Sequence, residues 1–451
     1  MAATAVLDIG KTNLKVVLFD AEGAVLRETS APNAPLPGPP YLHADVDSTW
    51  RFILAGLAEA AKSHEIACIV PTAHGACAAC ISETGLALPI LDYEDKGPEE
   101  IEIDYAKIRP HFLESLSPPA AGGLNVGRQI AYQKWRFPDA FANTRHILFH
   151  PQYWSWRLTG VATTEYTSLG CHTDLAAPMR GPYSSLVGAL GIGQLFPPIR
   201  PAYDVLGPIT PEVAAATGLA PATPVLSGIH DSNASLLPHL LNRPPPFTVV
   251  STGTWAILMS VGYTRKRIDE ASDLYANINV FGDAVLCARF MGGREYAIIS
   301  GGDTASPDLA ALQRIIGSGA LALPSFTGQG GPYALRKGEM RGDTPPADRS
   351  ALATLHVALM TDDLLTRLEA TTGDLVIEGS FGKNAAFCGV LAALRPSQAV
   401  VVPADQSGTA RGAALLAHWP RPPKRALEHQ AEPLALPGLT AYRQAWRRDL
   451  A

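Results

Sequence analysis

Two periods of apolar and polar positions alternate along this chain of 451 residues. Val6-Leu7-Asp8-Ile9 closes an apolar run, Gly10 permits a reversal, and residues 14–19 resume a β-branched, apolar pattern, which predicts a hairpin. A second hairpin is predicted where Phe247-Thr248-Val249-Val250 and Ala256-Ile257-Leu258-Met259 flank the turn Ser251-Thr252-Gly253-Thr254-Trp255. Between them, residues 49–63 follow a helical period, 66–70 and 76–81 read as buried strands, and 132–136, 151–158 and 211–217 read as helical pieces. Such alternation predicts an α/β class with mixed sheets. The run Arg243-Pro244-Pro245-Pro246 can continue neither a helix nor an inner strand. It divides a first domain, residues 1–242, from a second, 243–420. Residues 421–451, rich in Pro and Arg, read as a peripheral tail.

Composition narrows the function classes. Hydrophobic residues at 47% and charged ones at 17% give a globular chain enough material for more than one core. A net charge of −6 lacks the footprint of a nucleic-acid binder. No apolar run approaches the roughly 20 residues of a membrane span, and no basic-then-apolar leader opens the chain, so the cytoplasm is the expected compartment. Six cysteines are too few for a disulfide framework. Cys77-Ala78-Ala79-Cys80 has the spacing of a zinc or redox pair, but no second such pair follows, and the flanking apolar run favours two buried thiols.

Candidate chemistry gathers at three places. Gly10-Lys11-Thr12 invites comparison with a phosphate-binding P-loop, yet Ala5 stands where that motif needs Gly, and a strand follows where it needs a helix. What remains is a phosphate-facing hairpin with Asp8 at its mouth. Gly228-Ile229-His230-Asp231-Ser232-Asn233-Ala234 sets an acid on a Gly-bounded turn; taken alone, Asp231 reads more readily as the cap of a helix beginning at Ser232. The third place is the Thr252-Gly253-Thr254 turn. A carboxylate able to take a hydroxyl proton, with loops whose N–H groups can face phosphate oxygens, is what phosphoryl transfer needs.

Asp8 to Lys15 resembles the first phosphate motif of the actin-like ATPase superfamily. Gly228 to Ala234 with Ser251 to Trp255 narrows the resemblance to the FGGY carbohydrate kinases. Gly379-Ser380-Phe381-Gly382-Lys383-Asn384 is similar to their adenosine turn. Val401-Val402-Pro403-Ala404-Asp405 and Thr409-Ala410-Arg411-Gly412-Ala413-Ala414 resemble the strand and helix that follow it. Phe326-Thr327-Gly328-Gln329-Gly330-Gly331 echoes a further segment, with Gln329-Gly330 where Glu-Arg is common.

The resemblance implies two actin-like (ribonuclease H-like) α/β domains closing over a nucleotide, with ATP and Mg²⁺ as cofactors. Asp231 would be the general base, and Asp8 would hold Mg²⁺ through water. ATP would be met by Lys11, Thr12, Asn13, Thr252, Gly253, Thr254, Gly379, Ser380, Lys383 and Asn384. A sugar would be met by His74 and Gly75 of Pro71-Thr72-Ala73-His74-Gly75, by Asp95 of Leu91-Asp92-Tyr93-Glu94-Asp95, and by His230 and Asp231. Lys96-Gly97 stands where an Arg commonly follows that last segment. Thr254-Trp255-Ala256-Ile257-Leu258-Met259 and His230-Asp231 look most like L-fuculose and L-rhamnulose kinases. A small-molecule sugar is the implied partner, and a homodimer is compatible with the resemblance. Alternatives are a xylulose- or polyol-type kinase, a chaperone-like ATPase of the superfamily, and a degenerate kinase-fold ATP-binding protein.

Overall fold

The computed structural model describes residues 2–118, 120, 122–263, 268–404, 408–420 and 428–450. The chain separates into two compact units. The first comprises the described residues of 1–241, 276–284 and 407–425; the second comprises those of 242–275, 285–406 and 426–451.

The first unit is built on a mixed sheet. Val25–Pro32, Asn13–Phe19, Ala2–Ile9, Glu65–Ala73, Pro224–Leu226 and Val205–Pro208 lie side by side in that order, and Ile229–His230 also pairs with Glu65–Ala73. Ala2–Ile9 and Asn13–Phe19 form the expected antiparallel hairpin, whereas Glu65–Ala73 runs parallel to Ala2–Ile9. Both faces of the central strand are buried, which explains why Val6 and Leu7 are apolar in succession. On one face, helix Val46–Ala61 packs Ile53, Leu57 and Ala60 inward. Gly56 admits Val16 there, since a Cβ would lie 2.7 Å from its Cγ2.

The opposite face is covered by helix Asp231–Asn242 and helix Gly408–Leu415, whose Ala410, Ala413 and Ala414 join Val6, Val17, Phe19, Ala234 and Leu237 in one cluster. Gly412 lets the two helices meet, because a Cβ would fall 1.8 Å from the Ala234 carbonyl oxygen. Residues 408–420 therefore belong to the first unit, not to the second domain where the sequence placed them. The small residues that looked like a closing helix are those that close contact with helix Asp231–Asn242 requires.

The second unit carries a sheet in which Ala284–Phe290, Ala256–Val261, Phe247–Thr252, Asp374–Gly379, Val400–Pro403 and Glu428–Gln430 are successive neighbours. The predicted hairpin is present in full register, from Phe247 opposite Val261 to Thr252 opposite Ala256. Helix Arg349–Arg367 is buried from Ser350 through Leu365.

The expected peripheral tail needs correction over its described part. Glu428–Gln430 is a sheet edge strand, and helix Leu439–Leu450 buries Tyr442 and Trp446. Its Arg443 and Arg447 pair with Asp362, whose carboxylate is 1% exposed. A buried charge demands such partners, so the arginines that suggested a solvated tail are docking groups. The rest of that predicted segment, 421–427, lies outside the described residues, as does Asp405. Among the described residues, no helix is long and apolar enough to cross a membrane.

Candidate active site

Strand register builds the acidic part of the site. Asp8 lies opposite Thr72 and Thr72 opposite Ile229; one step on, Ile9, Ala73 and His230 are aligned. Asp8, His74 and Asp231 thus emerge at the carboxyl ends of neighbouring parallel strands, the edge where open α/β sheets place their ligands. Burial pushes the Asp8 carboxyl up to about 7, and the charge of Asp231 adds to the rise. Two carboxylates so placed favour a cation between or beside them, and oxygen donors suit Mg²⁺.

Asp231 opens helix Asp231–Asn242, so its charge sits at the favourable end of the helix dipole. Its Oδ1 accepts from Ser232 N at 2.6 Å and from the Ser232 hydroxyl at 3.2 Å. His230 Nε2 lies 3.2 Å from the same oxygen. Burial lowers the His230 pKa despite the opposing charge of Asp231, so the ring is neutral at pH 7. Nδ1 accepts from Asn233 Nδ2 at 3.4 Å, which leaves the ring proton on Nε2, facing Asp231. Among the described residues these bonds fall on Oδ1, and Oδ2 retains its lone pairs for an incoming proton.

The sugar-side residues divide into two kinds. His74 contacts its surroundings directly: Nδ1 donates to the Gly75 carbonyl at 2.9 Å, and the ring meets those of His150 and Tyr93 edge-on. Gly75 is adjacent for a steric reason, since a Cβ would stand 2.7 Å from His230 Nε2 and 3.1 Å from Cys171 Sγ. Asp95, expected to meet the sugar, is engaged with the backbone. Its oxygens accept main-chain N–H groups, from Leu42 at 2.8 Å and Gly97 at 2.7 Å, which makes it a loop staple. Asp92 is the acid of that segment turned to the site, 2.5 Å from Lys11 Nζ. Lys11 also pairs with Glu94 at 3.1 Å and lies over the Tyr93 ring, so the ammonium is engaged with this loop. Thr12 and Asn13 are exposed at the tip of the hairpin.

In the second unit the candidate groups are mostly main chain. Thr252 is buried, with its hydroxyl donating to the Glu378 carbonyl and accepting from Phe381 N at 2.9 Å. Gly253 and Thr254 are exposed, as are Ser380 and Lys383. Gly379 has φ +79°, and a Cβ there would lie 1.8 Å from the Thr252 carbonyl oxygen. Asn384 is buried and caps helix Ala385–Leu394 by accepting from Phe387 N, so it orders the turn. A cavity of about 430 Å³ is lined by Thr254, Arg294, Phe326, Thr327 and Gln329. Glu295 fixes its rim, accepting from Phe326 N at 2.9 Å and from the Ser325 hydroxyl at 3.1 Å. Gly330 has φ +64° and a Cβ there would lie 2.4 Å from the Trp255 ring. An Arg at this position is incompatible with Trp255 where it stands.

Residues 3–238 match the FGGY family of carbohydrate kinases, N-terminal domain, and residues 244–426 match the carbohydrate kinase FGGY, C-terminal domain. The chain belongs to the FGGY family of carbohydrate kinases. A crystal structure of a carbohydrate kinase from Novosphingobium aromaticivorans is 36% identical, covers 99% of this chain and 98% of its own, and superposes with a TM-score of 0.92. The xylulose kinase from Lactobacillus acidophilus shares the fold at a TM-score of 0.84 and 15% identity, over 99% of this chain and 97% of its own. Among curated relatives, an L-fuculokinase of Salmonella typhi is 28% identical over 56% of this chain and 55% of its own. An L-xylulose/3-keto-L-gulonate kinase of Escherichia coli is 26% identical over 67% and 60%. The chain thus aligns with little more than half the length of the first of these curated relatives. Its fold is the mixed α/β, actin-like architecture of its structural neighbours.

Several groups in this FGGY-family site escaped the sequence reading. Glu165 accepts from Thr167 N and from the Thr167 hydroxyl, and that hydroxyl accepts from His230 N at 3.0 Å, so a buried acid anchors the residue beside Asp231. Cys171 Sγ is 3.3 Å from His230 Nε2. His150 packs on His74. Each lies far from its partner in sequence and on an unremarkable stretch. A Glu-x-Thr cap was the one local signal.

Proposed function

We propose that this chain is an ATP-dependent carbohydrate kinase that transfers the γ-phosphoryl group to a hydroxyl of a five- or six-carbon ketose, with L-fuculose or L-rhamnulose as the leading class. The observation that carries this reading is Asp231, with one oxygen held by its neighbours and the other open, beside Asp8 at the carboxyl edge of the sheet. Asp231 takes the proton of the attacking hydroxyl as charge moves to the phosphoryl group, a contribution of about 10²–10⁴-fold for a placed base. Mg²⁺, when bound, neutralises phosphate charge; Asp8 is the residue to hold it. The turns at Thr252–Thr254 and Gly379–Lys383 offer the exposed residues Gly253, Thr254, Ser380 and Lys383 to the nucleotide. Neutral His230 and His74 supply polar groups that fix sugar hydroxyls. L-Fuculokinase relatives favour the deoxyketose reading. The longer alignment with an L-xylulose/3-keto-L-gulonate kinase supports L-xylulose as the second reading.

The test is a panel of ketoses, polyols and aldoses assayed for sugar-dependent ADP release. A ketose with the highest kcat/KM is expected. Glycerol above every ketose overturns the substrate class, and no release with any sugar favours the degenerate alternative. His74→Ala is expected to raise KM for the preferred sugar by about 5–150-fold, the weight of one lost polar partner at about 1–3 kcal/mol, and to leave KM for ATP unchanged.

A further inference from the structure

We propose that His74, Cys77 and His150 form a zinc site of their own. Strand Ala78–Ile81 pairs antiparallel with His146–Phe149, with Ala78 opposite Phe149. That pairing brings Cys77, just before the one strand, against His150, just after the other, and His74 reaches them from the end of Glu65–Ala73. Ligand atoms of all three lie within 4.8 Å of one another. The imidazole centroids are 4.5 Å apart, and Cys77 Sγ is 4.0 Å from His74 Nδ1.

Zinc bonds of about 2.0–2.1 Å to nitrogen and 2.3 Å to sulfur set tetrahedral ligand atoms roughly 3.5 Å apart, so closure needs movement of about an ångström. Little opposes it. The contacts from Cys77 Sγ to the Leu91 carbonyl at 3.6 Å and from His150 Nδ1 to the His74 carbonyl at 3.4 Å are long. Cys80, the other half of the CxxC, points elsewhere and contacts Gln133 Oε1, so the pair suggested by sequence is not the site. Two imidazoles and a thiol select zinc or cobalt over magnesium, in contrast to the oxygen donors of Asp8. Three protein ligands leave a fourth position for water. Binding releases the Cys77 proton to solvent as the thiolate–metal bond forms.

The test titrates metal-free protein with Zn²⁺, and in parallel with Co²⁺ read by its thiolate charge-transfer absorption, with neither nucleotide nor sugar present. One ion per chain is expected. Cys77→Ser and, independently, His150→Gln should weaken binding by about tenfold or more and remove the thiolate band or alter it, while Cys80→Ser leaves both unchanged. Thermal melts without metal establish that each variant is folded. Absent binding, binding equal in both test variants and wild type, or an equal loss in Cys80→Ser overturns the proposal. Because His74 belongs to the sugar-side turn of the proposed kinase, Zn²⁺ should also raise sugar KM. If zinc binds as predicted but sugar KM is unchanged, it is the sugar contact of His74 that falls, and the metal site stands.

Discussion

The two units present their candidate chemistry in different materials. In the first, side chains converge: Asp8, His74, His230 and Asp231 lie at the ends of adjacent strands, and each offers a functional group. In the second, glycine lets main chain approach main chain, and the exposed groups of the Thr252–Thr254 and Gly379–Lys383 turns do the presenting. A side-chain site fails when a group is exchanged at constant shape; a main-chain site fails when an atom is added at constant chemistry. That difference can be tested directly.

The sharpest break on the side-chain side is Asp231→Asn. The amide fills the same space and still accepts from Ser232 N, but it cannot take a proton, so kcat should fall by about 10²–10⁴-fold with ATP affinity preserved. Near-normal turnover on the best sugar would remove Asp231 from the base role. The matching change in the second unit is Gly379→Ala. Here a Cβ would stand 1.8 Å from the Thr252 carbonyl oxygen at φ +79°. Left-handed strain and the clash together should cost about 3 kcal/mol, read by denaturant midpoint. A loss below about 1 kcal/mol would show that the strand ends part easily and that glycine is not structurally required.

The same division explains what the sequence disclosed. Both hairpins were legible because a turn between β-branched runs is a local pattern, and the register of Glu65–Ala73 then aligns Asp8 with the turn before Asp231. Asp92 and Asp95 share one loop, and no local pattern tells which carboxylate accepts from the backbone of Leu42 and Gly97. Helix Arg349–Arg367 is buried from Ser350 through Leu365, so its packing on all sides is a tertiary fact that the sequence reading did not address. Residues 408–420 and 428–450 were misplaced because composition reports solvation, while Gly412 against Ala234 and Arg443 against Asp362 are tertiary facts.

Glu165 sharpens the comparison through pH. It is wholly buried, and burial lifts its carboxyl to about 7, against hydrogen bonds from Thr167 and Ser168 that pull the other way. A carboxyl raised on folding binds its proton more tightly in the folded state. Its contribution to stability is full below the unfolded pKa of about 4.5 and is lost as pH rises through about 7. Glu165→Gln should therefore flatten stability between pH 5 and pH 8 by about 2–3 kcal/mol, measured by denaturant unfolding at each pH. An unchanged slope would mean that Glu165 stays ionised on the Thr167 and Ser168 donors.

The smallest expected effect on stability belongs to Gly253, and that makes it informative. A Cβ there would meet nothing within 4 Å, and its φ lies outside the left-handed region. Ala should then change stability by about 0.5 kcal/mol or less, or raise it slightly by restricting the unfolded chain. Gly253 is exposed at the tip of the hairpin, and its N–H donates to the Trp255 carbonyl at 2.8 Å. The turn is therefore closed by its own hydrogen bond, and Ala can keep its shape. If this turn approaches phosphate through the main chain, an added methyl group stands in the path of the ligand, and Kd for ATP should rise several-fold while the unfolding midpoint stays fixed. Gly379→Ala does the reverse, losing stability first. Unchanged ATP affinity in a stable Gly253→Ala protein would remove this turn from the nucleotide site and leave binding in the second unit to the Gly379–Lys383 turn.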